Sequence, residues 1–209
     1  MLEAEGRRAL DDLRKFAIEL GAEDGRIIAT NQVVVENRVI LKCKYWCEGY
    51  GANWSCPPFV PSPDEFRSIL KEYKYAMVAK FKCSVKVSEE IRNLLKSREP
   101  LGRRGKELED FYRIWGEDKR KAHRSLLKLE KFAFTKGFAL ALGLRPGACN
   151  LCTQCDVKKP CVHPETLRFP PEAVGVNLIK TLQNAGMSLS VPLWKVGASP
   201  RVVMMLLIT

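Results

Sequence analysis

Four closely spaced cysteines are the part of the sequence best suited to chemistry. Cys149, Cys152, Cys155 and Cys161 follow the pattern C-x2-C-x2-C-x5-C. Three thiolates at such short spacing can wrap one compact inorganic core, as in bacterial-type ferredoxins, where a fourth cysteine follows after a short gap. Zinc sites more often use two separate C-x2-C pairs with a longer spacer. The spacing therefore favours a [4Fe–4S] cluster, and zinc and disulfides are the alternatives.

The residues around this run add further candidate groups. Because the gap before Cys161 is longer than in bacterial-type ferredoxins, this cysteine either completes the same cluster or binds elsewhere. His163 is a candidate ligand or hydrogen-bond partner of a sulfur, although a polar loop residue is the simpler interpretation. Lys158, Lys159 and Arg168 carry positive charge that would offset the negative charge of a thiolate-bound cluster.

A second cysteine group lies earlier in the chain. Cys43, Cys47 and Cys56 follow the pattern C-x3-C-x8-C, which supplies three thiolates and leaves one metal position open. Cys83, Cys161, water or a substrate would complete the site. An open iron position would permit ligand chemistry, whereas a fully ligated cluster only transfers electrons. For Cys83 the alternative is burial as a small apolar side chain.

The bulk composition describes a globular chain and narrows its environment. With 209 residues, 46% of them hydrophobic, the chain is long enough to bury one real core. It contains no apolar run of membrane-spanning length and no signal-peptide pattern, so we expect a cytoplasmic protein without a membrane contact. Clustered cysteines in that compartment favour metal or redox chemistry over disulfides.

The formal net charge of +11 would attract nucleic acid or acidic proteins. The basic residues are spread along the chain and interleaved with acidic ones, which is typical of a solvated surface rather than of a nucleic-acid-binding arm. A redox partner protein is therefore favoured over nucleic acid. Phosphate-binding, dinucleotide-binding and nucleophile-elbow motifs are absent from the sequence, and the catalytic residues, if any, stay unassigned.

The hydrophobic pattern predicts the elements that must position the cysteines, with helices and strands mixed throughout. Gly21 and Gly186 are expected to end helices, and Gly116 to break or kink one. Helices are predicted at 2–21, from Ser62 onward, at 88–97, 107–136 and 172–186, and strands at 26–30, 32–37, 38–43, 75–83, 137–144 and 201–209.

These elements predict one metal-binding domain, 1–209, of the α+β or α/β class. It would contain a mixed β-sheet flanked by helices, with an N-terminal helix at 1–21. Both cysteine loops, 43–62 and 149–164, would follow strands. Sites in such proteins are commonly built at strand ends.

The two cysteine loops together resemble the predicted metal-binding protein family, also called domain of unknown function 2284, which occurs in archaea and anaerobic bacteria. The resemblance rests on a cysteine pair, a C-P-P element, a C-x2-C-x2-C run and a further cysteine near H-P-E, and it covers the chain from about residue 25 onward. It implies metal, but no particular reaction. Cys83 matches no element of the family. The ligands that the resemblance implies are Cys43, Cys47, Cys56, Cys149, Cys152, Cys155 and Cys161.

We therefore expect an iron–sulfur protein that transfers electrons or serves as a redox accessory to a larger enzyme. One [4Fe–4S] cluster is expected on the second loop, and a second metal site on the first. Two alternatives stay open. One is an enzyme that uses a three-cysteine cluster with an open iron, and the other is a zinc-stapled module that binds protein or nucleic acid.

Overall fold

The structure, a computed structural model, describes residues 2–97 and 105–209, with side chains from Glu5 onward. The described residues form helices and strands of one α+β arrangement. Short 3-10 turns lie at Thr30–Gln32 and Pro171–Val174. The elements are α1 (Leu2–Glu19), β1 (Asp24–Ala29), α2 (Asn37–Trp46), α3 (Pro63–Leu70), β2 (Tyr75–Lys82), α4 (Glu89–Ser97), α5 (Lys106–Thr135), β3 (Leu142–Leu144), α6 (Leu178–Asn184) and β4 (Arg201–Ile208).

The four strands form one sheet in the order β1-β2-β4-β3, and every neighbouring pair is antiparallel. Residues Val202 to Ile208 of the central strand β4 are all buried. This burial on both faces explains why the strand is a continuous apolar run rather than an alternating one. The α+β class is thus confirmed, whereas the expected mixture of parallel and antiparallel pairs is replaced by a fully antiparallel sheet.

Helices cover both faces of the sheet. On one face α1 and α5 pack against the side chains that alternate along β2 and β4, such as Met77 and Met204. On the other face α3 and α6 pack against the alternate set, such as Val78 and Met205. The strand alternation of period two therefore divides the core into two layers. No helix in the described parts of the chain is both long enough and apolar enough to span a membrane.

Residues 32–43 differ most from the prediction. The strand expected at 38–43 is part of helix α2, and of 32–37 only Val35 pairs, in an isolated bridge with Val176. Short apolar runs fit helix and strand periodicity equally well. Here Glu36 precedes the helix, and its carboxylate accepts from the neighbouring Arg38 and from the remote Lys180. As a result, Cys43 lies on a helix and does not follow a strand.

The remaining elements match the predictions with local differences. The capping box of Ser62 and Glu65 starts α3 as expected, and α5 runs through Gly116 without a break. The strand at 137–144 is reduced to β3. The helix at 172–186 is split, because Gly175 adopts a left-handed conformation (φ 87°) before Asn177 caps α6.

Candidate metal centre

Helix α2 and the loop after it present the first cysteine group. Cys43 lies within the helix, Cys47 ends it, and Cys56 is buried in the following loop. A Cβ atom placed on Gly49 would lie 3.2 Å from the Sγ of Cys56 and 3.6 Å from the Sγ of Cys47. The two sulfurs thus flank the same point of backbone, and glycine leaves the space between them open.

Strand β3 leads into the second cysteine group. The chain leaves the sheet at Leu144, passes through Arg145 and then forms the irregular cysteine loop. The backbone N–H of His163 donates to the Sγ of Cys161 at 3.4 Å. A cavity of about 240 Å³ is lined by all four cysteines of the run, Cys149, Cys152, Cys155 and Cys161, together with residues that include Trp54 and His163.

Three hydrogen bonds tie the two loops together, although the loops are about a hundred residues apart in sequence. The Asn53 side chain donates to the carbonyl of Cys149 at 3.0 Å, and the Cys149 backbone N–H donates to the Ser55 hydroxyl at 3.0 Å. The Trp54 indole N–H donates to the carbonyl of Lys159 at 3.0 Å. Cys149 is therefore held against the first loop through both of its backbone polar groups.

The thiols are close enough to influence one another's charge. Burial, with smaller contributions from Cys47 and Cys56, raises the pKa of Cys43 to about 11. Burial also raises the pKa of Cys56, with like-charge contributions from Cys47 and Cys149. The pKa of Cys152 is raised by burial and then by the other three cysteines of its loop. Such thiols stay protonated at neutral pH unless a metal displaces their protons.

Arg145 is the charged residue at the junction of the two groups. It is 0% exposed, and its guanidinium interacts with the sulfurs of Cys149 and Cys56. Its Nη2 donates to Asn150 at 2.7 Å, whereas Nε and Nη1 make no well-formed hydrogen bond. No carboxylate of the described residues forms an ion pair with it. Burial lowers the pKa of Arg145, as expected for a cation that lacks a counter-charge.

The other predicted charges are placed differently. The Arg168 guanidinium is paired with Glu130 at 2.9 Å, and the Lys159 ammonium with Asp156 at 3.5 Å. The electrostatic neighbours of Cys83 are Asp118, Arg201 and Lys119 rather than other cysteines, and burial, followed by the charge of Asp118, raises its pKa to about 12. The structure thus places the seven cysteines of the two loops in two adjoining groups and gives Cys83 different neighbours.

The chemistry of these residues fits a thiolate-bound metal, although the side chains do not converge on one point. Within residues 2–97 and 105–209, no three Cys, His, Asp or Glu side chains converge closely enough to hold one ion. The neighbouring donors are nevertheless almost all thiols, the soft ligands that suit zinc and iron–sulfur clusters. The space at Gly49 and the unpaired guanidinium of Arg145 add room and positive charge where sulfur ligands gather. The residues therefore fit either kind of metal centre.

Sequence reasoning missed the residues that join the two cysteine groups. Asn53 and Ser55 read as ordinary loop residues, because their partner Cys149 is remote in sequence. Arg145 carried one usable signal, since it directly follows an apolar strand run and directly precedes a Pro-Gly turn. A charged residue at that position lies where the chain leaves the core.

Comparison with known proteins gives a family assignment. A family model described as "Predicted metal-binding protein (DUF2284)" matches residues 26–208, which is most of the chain. The matched region contains all the cysteines of both groups. No curated protein and no solved structure matches the chain.

Proposed function

Since the chain belongs to this family of predicted metal-binding proteins, we propose that it is a cytoplasmic iron–sulfur protein. It transfers electrons to or from a partner. In this proposal Cys149, Cys152, Cys155 and Cys161 hold a [4Fe–4S] cluster. Cys43, Cys47 and Cys56 form a second metal site. A bound cluster would supply one-electron redox chemistry, and the protein would supply ligands, charge and shielding from water.

The buried, unpaired guanidinium of Arg145 is the observation that carries the proposal. A buried cation without a counter-charge is unfavourable, because it loses hydration and has no attraction to an opposite charge to offset that loss. Thiolates bound to a metal would provide that counter-charge, since the Cys149 and Cys56 sulfurs are its electrostatic neighbours. Neutral thiols would not provide a counter-charge. Arg145 therefore favours the ionised form of these cysteines, which burial alone disfavours and which a bound metal would maintain.

The cavity of the second loop supports a cluster over a single zinc ion. Its four cysteines line a space of about 240 Å³ that also reaches the first loop at Trp54. A cluster needs more room between its ligands than a zinc ion, which binds each sulfur at about 2.3 Å. The C-x2-C-x2-C spacing points in the same direction. Arg145 would also raise the reduction potential of a cluster at this position, because a nearby positive charge stabilises the more negative, reduced form.

Helix α2 supports the choice of a protein as redox partner. None of its residues is buried, and Trp46 and Tyr45 are 76% and 69% exposed. The exposed Lys42 and Lys44 give the same helix a basic surface, and Cys43 lies within it. Exposed aromatic and basic groups of this kind suit an acidic partner protein, steered by charge and docked by apolar contact. Such docking would bring the partner close to the first cysteine group.

Metal and sulfide analysis of protein purified without oxygen tests the proposal. We expect about four irons with matching sulfide per chain for one cluster, or about eight for two, and visible absorption that dithionite bleaches. Zinc in place of iron, in a colourless protein without acid-labile sulfide, would overturn the redox proposal and support the zinc-stapled module.

Variants of Arg145 test the observation on which the proposal rests. Arg145→Met should lower the reduction potential of the cluster and weaken metal retention about tenfold or more, as losses around a ligand shell typically do. Arg145→Lys, which keeps the charge, should partly restore the potential. Arg124→Met removes an exposed arginine of α5 and is the matched control. Equal potentials for the wild type and Arg145→Met would contradict the assigned role.

A further inference from the structure

Two adjoining cavities, one of which reaches the first cysteine group, share no lining residue with the cavity of the second loop. One has a volume of about 250 Å³ and reaches Trp115 and Lys119 of α5. The other has a volume of about 490 Å³ and reaches Cys43 of α2. They share a wall formed by Glu172, Leu178, Leu189 and Val191.

Lys119 presents an ammonium group to the smaller cavity. Its Nζ lies 4.3 Å from the centre of the Trp115 ring. A Cβ atom on Gly147 would lie 3.4 Å from this ammonium, so glycine leaves room for the lysine side chain. The other cation of the cavity, Arg201, is paired with Glu23. Among the described carboxylates none forms a direct ion pair with Lys119. Glu172 of the same cavity interacts with it electrostatically, and the ammonium N–H groups stay able to donate to an anion.

Glu172 is an electrostatic neighbour of both Lys119 and Cys43, and it lines both cavities. The rest of the smaller cavity is mostly apolar, with leucine and valine side chains at 178, 189, 191, 193, 202 and 203. Such a cavity, apolar with a few placed polar groups, is typical of a small-molecule site.

We propose that these two cavities form a binding site for a small organic carboxylate with an apolar body. Lys119 binds the carboxylate, Trp115 and the leucine–valine wall cover the apolar body, and Glu172 faces the end of the ligand nearer Cys43. The proposal goes beyond electron transfer and rests on the cavity side chains, so it is independent of which metal the cysteines hold.

Calorimetric titration of the purified full chain, in its as-isolated metal state, tests the site. The probes are phenylacetate and the straight-chain carboxylates from acetate to octanoate, each paired with its neutral amide. We expect at least one acid to bind about tenfold or more tightly than its amide, because a charge-assisted hydrogen bond to Lys119 is lost in the amide. A series in which no acid binds in preference to its amide would overturn the proposal.

Two pairs of variants locate the binding. Lys119→Met should reduce the affinity for the acid to that for the amide, whereas Lys128→Met, which removes an exposed lysine of the same helix, should leave it unchanged. Val191→Trp should block both cavities from the surface, and Val196→Trp is its control, because Val196 lines neither of them. Undiminished acid binding by both Lys119→Met and Val191→Trp would place the ligand elsewhere and refute this site. Metal content, measured on the same samples, reports separately on the electron-transfer proposal.

Discussion

At the scale of single residues, His123 shows how the positive charge of Arg145 is accommodated. The imidazole is 1% exposed, and its Nε2 lies 2.9 Å from the carbonyl of Thr166, to which it donates. Burial, followed by repulsion from Arg145, lowers its pKa to about 4. The histidine is therefore neutral at physiological pH, and the site contains one buried cation rather than two.

This neutral histidine predicts a pH dependence of stability. The folded-state pKa lies below the ordinary value of 6.5. Between pH 6.5 and pH 4 the unfolded chain therefore binds a proton that the folded chain does not. As the pH falls through this range, the free energy of unfolding should decrease, by on the order of 2 kcal/mol between pH 7 and pH 5. His123→Gln, which can still donate to Thr166, should lose that part of the dependence.

Urea unfolding at pH 7 and pH 5 measures the difference. Because the wild type and His123→Gln carry the same cysteines, any acid-dependent loss of metal affects both and cancels in the comparison. An identical pH dependence for the two proteins would mean that His123 titrates normally in the folded state.

The cysteines make a second prediction at the residue scale. Cys83 is half-buried beside Asp118 and Trp115, and its electrostatic neighbours include no other cysteine. Cys83→Ala should therefore leave the metal content per chain unchanged, with at most a small change in stability. Cys149→Ala should lower the metal content markedly, because Cys149 belongs to the second group and is also an electrostatic neighbour of Cys56 in the first. Metal analysis of the two variants, purified identically, tests both expectations. Loss of metal in Cys83→Ala would indicate that Cys83 is a ligand.

At the scale of elements, the sequence predicted what local physics determines. The capping box at Ser62, the helical stripe of α5 and the apolar run of β4 are local signals, and each appears in the fold. The stretch around Val35 and Cys43 is different, because its contacts are with remote partners, a bridge from Val35 to Val176 and a bond from Lys180 to Glu36. The same limit applies to the site. Cysteine spacing predicted two groups of candidate ligands, and these assignments stay predictions. The hydrogen bonds between the loops and the buried position of Arg145 required the fold.

The packing of β3 against α5 makes a prediction at this scale. A Cβ atom on Gly143 would lie 2.7 Å from the Cγ of Leu126, so glycine is what allows the strand to approach the helix. Gly143→Ala should destabilise the protein by roughly 1–3 kcal/mol through overpacking. Gly116→Ala should instead stabilise by about 1 kcal/mol, because it lies inside α5 and the nearest atom would be 3.7 Å away.

Thermal or urea unfolding of the two variants measures this contrast. The double variant Gly143→Ala, Leu126→Ala serves as the control for overpacking, since removing the leucine branch creates space for the new methyl group. The stability lost in the double variant should be smaller than the sum of the two single losses. Simple additivity would contradict the proposed contact between Gly143 and Leu126.

At the scale of the whole molecule, the β-sheet is extensively packed, whereas the two cysteine loops are held by few contacts. The sheet is buried on both faces, and its central strands β2 and β4 pair along their full length. The two cysteine loops lack regular structure apart from α2, and the direct hydrogen bonds between them are few. Metals bound by the thiols of the two loops would therefore add much to the stability of the loops and little to that of the sheet.

Metal removal tests this division. After anaerobic treatment with a chelator, hydrogen exchange should accelerate at residues 47–56 and 146–163, while amides of β2 and β4 keep their protection, because local opening of the loops does not require the sheet to unfold. Ser55→Ala removes the acceptor of the Cys149 N–H. In the metal-bound protein this variant should accelerate hydrogen exchange in both loops. Faster exchange in the first loop alone would mean that the bond does not couple the loops. Simultaneous loss of protection in the loops and in the central strands would show instead that the metal holds the whole fold together.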